Sequence, residues 1–445
     1  MESRSIERLS YFYDMKYLLL LLLVPFASYS QTRREDIHTD YVLYNKRSAL
    51  EKDLKERIIG KHFSVPLDSD SEDGYLSGCW AVSQFLFDGP EVIGGFKRLF
   101  AGYDSLSYDT RRALLEAVYA VGRGRYGAEV GAVMEKEGDA RLFTLCAAYL
   151  NREDTSIGRA NQLKIRLVEK FPVAADTLEV LKELQRYLGR GRAVRPGLGE
   201  LLQYRRGYKT IYSFQRQDRD YPGLAVVQNA DGSFVRDGQG RLQVFEQLAR
   251  SGPGLPYFIT NGNTPQGVYS IQGTDVSKTN FIGPTPNLQL VMPFEEEWWR
   301  YFHDSTLRAS GGVPSIMLHT PEDKDLSSMD SLNLYLQLLP ESWRRYGPMM
   351  EAWEAGKVGR TEIIAHGTTI DPEYFRGKPF YPLTPTMGCL CAKELWNVTT
   401  GHLLVSEQNN LVNAFLSTPG RMGYLIVVEL DDQRKAVTRG EIEMI

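Results

Sequence analysis

The sequence predicts an α+β protein: an all-helical N-terminal half, then a mainly β half that carries a helical insertion. Three observations predict it. From about Asp36 to Leu202 the apolar residues recur at helical spacing. After about Tyr208 they fall into short β-branched and aromatic runs separated by Gly, Pro and Asn. Phe294 to Asp304 and Asp330 to Ala355 then return to helical spacing inside that second half. A chain of 445 residues is long enough to bury two or three cores.

Taken in order, the chain opens on an exported-protein signature. Lys16 precedes an apolar run from Tyr17 to Phe26 that contains Leu18 to Leu23, followed by the small residues of Ala27-Ser28-Tyr29-Ser30. The run is shorter than the ~20 residues a bilayer span needs, so residues 1–30 read as a secretory signal. Residues 31–205 read as a helical domain, with Ala113–Val118 and Leu142–Leu150 as clear helical segments and Gly122-Arg123-Gly124 and Glu137-Gly138-Asp139 as breaks. The charge-rich stretch from Arg186 to Arg206 leads out of it. Residues 206–445 form the second domain, with the helical insertion at about 293–358. Leu224–Gln228, Asn229–Gly232 and Ser233–Val235 read as strand, turn, strand. Leu242–Phe245, Tyr257–Thr260 and the segment after Gly267 are further strands, Gln408–Leu416 is a helix, and Tyr424–Leu430 is a closing strand.

Composition excludes several classes. A formal net charge of -4 without a dense Lys/Arg face argues against a nucleic-acid partner. Cys79, Cys146, Cys389 and Cys391 are too few for a disulfide scaffold. Cys79 and Cys146 lie in apolar helical stretches, where pairing and inert packing are both open. Cys389 and Cys391 are too close for an unstrained disulfide and lack a zinc spacing. His303, His319 and His402 show no ligand pattern, so neither a metal nor a cofactor is expected. Trp298 and Trp299 fit either a lid over a groove or an ordinary amphipathic helix.

The chemistry-bearing pair is His366-Gly367 and Gly388-Cys389. A thiol attacks only as thiolate, and a neighbouring imidazole is the usual way to make one. Gly before the Cys lets backbone N–H groups crowd the sulfur, as an oxyanion hole requires. A buried structural cysteine is the commoner situation for a Cys taken alone. Cys391 is the rival nucleophile, ranked below Cys389 because only Cys389 follows a Gly.

These residues carry a family likeness. Thr264-Pro265-Gln266-Gly267 with the strand after it, Ile364-Ala365-His366-Gly367, and Thr386-Met387-Gly388-Cys389-Leu390 stand in the order of the motifs of the L,D-transpeptidase catalytic domain. The likeness covers about residues 208–445 and leaves the helical half unexplained. Met387 stands where the family has a His before the Gly-Cys pair, and Cys391 where it has a basic or amide residue. The resemblance implies a β-sandwich catalytic domain acting on peptidoglycan stem peptides in the periplasm or cell envelope. It implies Cys389 as nucleophile, His366 as base, the Gly367 carbonyl as orienter of the ring, and the N–H groups of Gly388 and Cys389 as oxyanion donors. Thr386 and Met387 fall on the substrate-binding side. An L,D-carboxypeptidase and a silent wall-binding or scaffold protein, its helical domain recruiting a protein partner, are the other readings.

Overall fold

The computed structural model describes residues 32–191, 193–308 and 328–444. The apolar leader at 1–30 and His319 lie outside those residues.

The helical half begins with α1 (Tyr44–Lys52), which runs into a π-helical turn at Asp53–Lys61. It continues with α2 (Glu72–Phe85), α3 (Pro90–Ala101), α4 (Tyr108–Val121), α5 (Gly127–Lys136), α6 (Ala140–Glu153), α7 (Ile157–Lys170), α8 (Glu179–Gly189) and α9 (Leu198–Gln203). Capping explains the boundaries. Ser107 accepts from the Thr110 N–H at the start of α4, and Asp139 accepts from the Arg141 and Leu142 N–H groups at the start of α6. The break at Glu137–Asp139 is therefore a cap, and the Leu142–Leu150 stripe behind it is wholly buried.

The second half contributes β1 (Lys209–Gln215), β2 (Gly223–Gln228), β3 (Phe245–Leu248), β4 (Gly267–Asp275), β5 (Asn287–Val291), β6 (Ala365–His366) and β7 (Leu390–Ala392). Then come the two-stranded sheet of β8 (Glu394–Trp396) and β9 (Leu403–Ser406), and finally β10 (Gly423–Glu429). The eight strands other than β8 and β9 close into a barrel in the order β1-β10-β4-β5-β6-β7-β3-β2. Two parallel pairings, β1 with β10 and β6 with β7, complete the ring among antiparallel neighbours. The mixed architecture with an N-terminal helical region is thus present. The strands pair as one barrel-like sheet, and a two-sheet sandwich is not confirmed.

The insertion is broken into short pieces: α10 (Trp298–Tyr301), α11 (Ser328–Gln337), α12 (Glu341–Arg344) and α13 (Glu351–Lys357). Trp298 stacks on Trp353 at 5.6 Å between centroids and on Phe302, which is helix packing. Helix α14 (Glu407–Phe415) and the short α15 (Arg439–Glu443) complete the chain.

Strand alternation sorts the barrel side chains into two sets. Ile211, Val227, Ile271, Leu290, Ala365, Leu390 and Val427 share one hydrophobic cluster with Leu411 and Phe415 of α14 and with the buried faces of the N-terminal helices. Tyr212, Phe214, Val226, Val268, Ile426 and Val428 belong to a second cluster with Tyr335, Trp343 and Trp353 of the insertion.

Tyr257–Thr260, expected as a strand, is instead a turn. Pro256 lacks an N–H, and Asn261 takes φ +62°, so the backbone cannot extend there. The Tyr257 hydroxyl is pulled towards α8 by Glu183 and by Arg190 Nη2 at 2.7 Å, which fixes the turn against the helices.

Candidate active site around Cys389

The site is built where β6 and β7 run side by side. Ala365 pairs with Leu390 and His366 with Cys391, so Ile364 stands beside Cys389. Ala365 and Leu390 point into the core. By alternation His366 and Cys391 share the opposite face, and Cys389 lies in the bend that leads into β7. Cys389 is half-buried, whereas His366 and Cys391 are buried.

The turn that presents Cys389 is tied from both sides. Thr386 Oγ1 accepts the Gly388 N–H at 3.0 Å and donates to the Cys389 carbonyl at 2.9 Å. The Thr386 carbonyl receives the Gly252 N–H at 2.7 Å. Thr264 Oγ1 donates to the Gly388 carbonyl at 2.8 Å, which joins the Thr264–Gly267 segment to the Cys389 turn. Gly388 has φ +119°, and a Cβ there would lie 2.2 Å from Arg360 Nη2 and 2.7 Å from the Gly262 carbonyl oxygen. Both the dihedral and the close approach require glycine. The Gly388 N–H is engaged by Thr386, so the Cys389 N–H is the better placed of the two expected oxyanion donors. Met387 is exposed.

The sulfur itself accepts the Ile364 N–H at 3.4 Å and lies 3.5 Å from the Glu362 carbonyl oxygen. Glu362 has φ +62°, uncommon for a side chain of that size. Its N–H is held at 2.7 Å by Glu295 Oε1. The strained residue thereby turns its carbonyl towards the thiol.

His366 Nδ1 donates to the Gly367 carbonyl at 2.5 Å, which leaves Nε2 as the basic nitrogen. Among the described residues no hydrogen bond joins the ring to Cys389. Burial pushes the His366 ring down to about 4 and the Cys389 thiol up to about 11. For the thiol, desolvation outweighs the lowering effects of the Ile364 N–H and of Arg360. At neutral pH the resting forms are therefore a Cys389 thiol and a neutral His366 imidazole. Cys391 is enclosed and pushed up to about 12, chiefly by burial, with Thr384 Oγ1 3.7 Å from its sulfur. Cys79 and Cys146 are free, buried and raised by desolvation.

Sequence reasoning passed over two further groups. Glu394 lies so close to Gly367 that a Cβ there would fall 2.2 Å from its carboxyl carbon. The carboxyl accepts the Thr368 N–H at 2.8 Å and the Ser406 hydroxyl at 2.6 Å, and burial pushes it up to about 7. Arg360 is buried and donates to the carbonyls of Tyr257, Asn263 and Gly262. A cation in the short run from Val358 to Ile364, two residues before Glu362, is the only signal for it. Comparison with known proteins finds no matching family model, no similar curated protein and no similar solved structure.

Proposed function

We propose that the protein is an exported cysteine acyltransferase of the L,D-transpeptidase kind, with a sandwich-derived catalytic half, acting on peptidoglycan stem peptides in the periplasm or cell envelope. What supports the reading is that Cys389 leads directly into β7, which runs parallel to β6, the strand that carries His366. The ring there is fixed in the tautomer that leaves Nε2 to take a proton. In this reading Nε2 accepts the Cys389 proton as the sulfur attacks the carbonyl of the third stem residue, a diamino acid. The tetrahedral oxyanion is held by the Cys389 N–H. The C–N bond to D-Ala breaks, the proton passes from His366 to the departing amine, and a thioester remains. Attack by the amine of a second stem gives a 3-3 crosslink, and attack by water gives a trimmed tripeptide. No cofactor or metal enters these steps.

The raised thiol and lowered imidazole favour one second reading, a catalytically silent wall-binding protein whose helical half recruits a protein partner. Mass spectrometry separates the two. Residues 31–445 incubated with tetrapeptide muropeptides should yield crosslinked dimers or tripeptides that disappear in Cys389→Ala. Unchanged stem masses with a folded protein and a free thiol would reject the acyltransferase for these substrates.

A further inference from the structure

Arg360 sits at the centre of the site without a carboxylate. Its Nη1 donates to the Tyr257 and Asn263 carbonyls, the latter at 2.6 Å, and its Nη2 donates to the Gly262 carbonyl at 2.5 Å. Among the described residues it has no ion-pair partner, and it is 4% exposed. A buried guanidinium that meets only carbonyl dipoles leaves its unit charge uncompensated. The Gly388 position, one residue before the nucleophile, is pressed against Nη2: a Cβ there would approach to 2.2 Å. Glu295 and Glu362 also act on Cys389, both disfavouring a negative sulfur, and Cys391 lies near enough to feel its charge. Tyr269 and Cys389 are the titratable groups that act on Arg360.

We propose that Arg360 is the positioning cation of this site, holding the Cys389 turn and supplying the positive field in which the sulfur becomes a thiolate. The proton leaves Sγ for Nε2 of His366, and Arg360 keeps its own throughout. Its charge is compensated only when the sulfur, and later the oxyanion beside it, turns negative. That timing is what electrostatic preorganisation requires. The assignment rests on the reading of Cys389 as the reactive thiol.

The test needs no stem peptide, so it is independent of the substrate named above. Iodoacetamide labelling of Cys389 is followed by peptide mapping from pH 6 to 10.5 in the wild type, Arg360→Lys and Arg360→Gln. Retention of the charge in Arg360→Lys should keep the rate within about threefold. Loss of it in Arg360→Gln should slow labelling about tenfold at each pH, the effect of a one-unit rise in the thiol's pKa. Superimposable profiles for the wild type and a folded Arg360→Gln would overturn the proposal. Should Arg360→Gln fail to fold, Cys389→Asp and Cys389→Ser are compared by thermal unfolding. A carboxylate facing Arg360 has its pKa depressed, so Cys389→Asp should gain on Cys389→Ser as pH rises from about 2 to 5 and hold level from there to about 8. The reverse trend, that of a carboxylate buried without a counter-charge, would equally overturn it.

Discussion

At pH 7 the Cys389 thiol keeps its proton and the His366 ring stays neutral, because burial opposes both charges. Alkylation of Cys389 should therefore climb about tenfold per pH unit through the alkaline range, with a midpoint near 11. A midpoint below 8 would mean that a thiolate–imidazolium pair already exists at rest. Glu394 makes a second prediction at the residue scale. Its folded-state value of about 7 lies above its ordinary 4.5. The native state thus binds the extra proton, and stability falls as pH rises from the unfolded value through the folded one. The loss amounts to about 3 kcal/mol between pH 4 and pH 8. Glu394→Gln should flatten that part of the stability curve, measured as urea midpoints at the two pH values. Gly388→Ala combines a positive φ with backbone and guanidinium clashes, and should cost about 3 kcal/mol or more. At this scale the Gly-Cys and His-Gly pairs were legible because each is a local motif. Arg360 and Glu394 were not, because their roles come from backbone carbonyls and loops far away in sequence.

Elements carry their own logic. Ser406 ends β9 and caps α14, accepting the Asn409 N–H at 2.8 Å while donating to Glu394. Ser406→Ala should cost about 1–2 kcal/mol as a lost cap. The loss should be greater at pH 8 than at pH 5, where Glu394 is protonated and needs its donor less. Chemical denaturation at both pH values checks this. Long periodic helices such as α4 and α6 were readable, as were β2 and β10 with their apolar runs. β6 and β7 were not: two or three residues leave no period, and a parallel pairing across a gap of more than 20 residues has no local turn to announce it. Tyr257–Thr260 has strand composition but becomes a turn because tertiary hydrogen bonds to Glu183, Arg190 and Arg360 outweigh propensity.

Across the described residues the helices grip the segment that grips the Cys389 turn. Gly252 packs on the Ser83 carbonyl of α2, Asn261 Nδ2 donates to Glu116 of α4 at 3.0 Å, and Arg190 at the C-terminal end of α8 reaches both Tyr257 and Glu351. The same segment supplies the carbonyls that hold Arg360. Residues 206–445 alone should therefore lose cooperative unfolding and near-ultraviolet circular dichroism, since Phe258 and Leu255 belong to the cluster shared with the helices. A fragment that melts cooperatively and labels at Cys389 like the full chain would refute this. The change of texture near Tyr208 marked the boundary between helices and strands. That one cluster spans it was invisible, because each half has enough apolar residues to suggest a core of its own.

Closure of the eight strands has a consequence for recognition. A ring of paired strands presents few unpaired backbone donors and acceptors, and β5 meets β6 through one pair, Leu288 with Ala365. Along the fully paired wall of β1, β2, β4 and β10 a peptide cannot dock by adding itself as another strand, a sequence-tolerant way for a sheet to hold an extended chain. Selectivity must come instead from side chains and from the loops that rim β6 and β7. Extended peptidomimetics that rely on main-chain pairing should then be poor ligands, while compact branched ones that reach the half-buried Cys389 should compete.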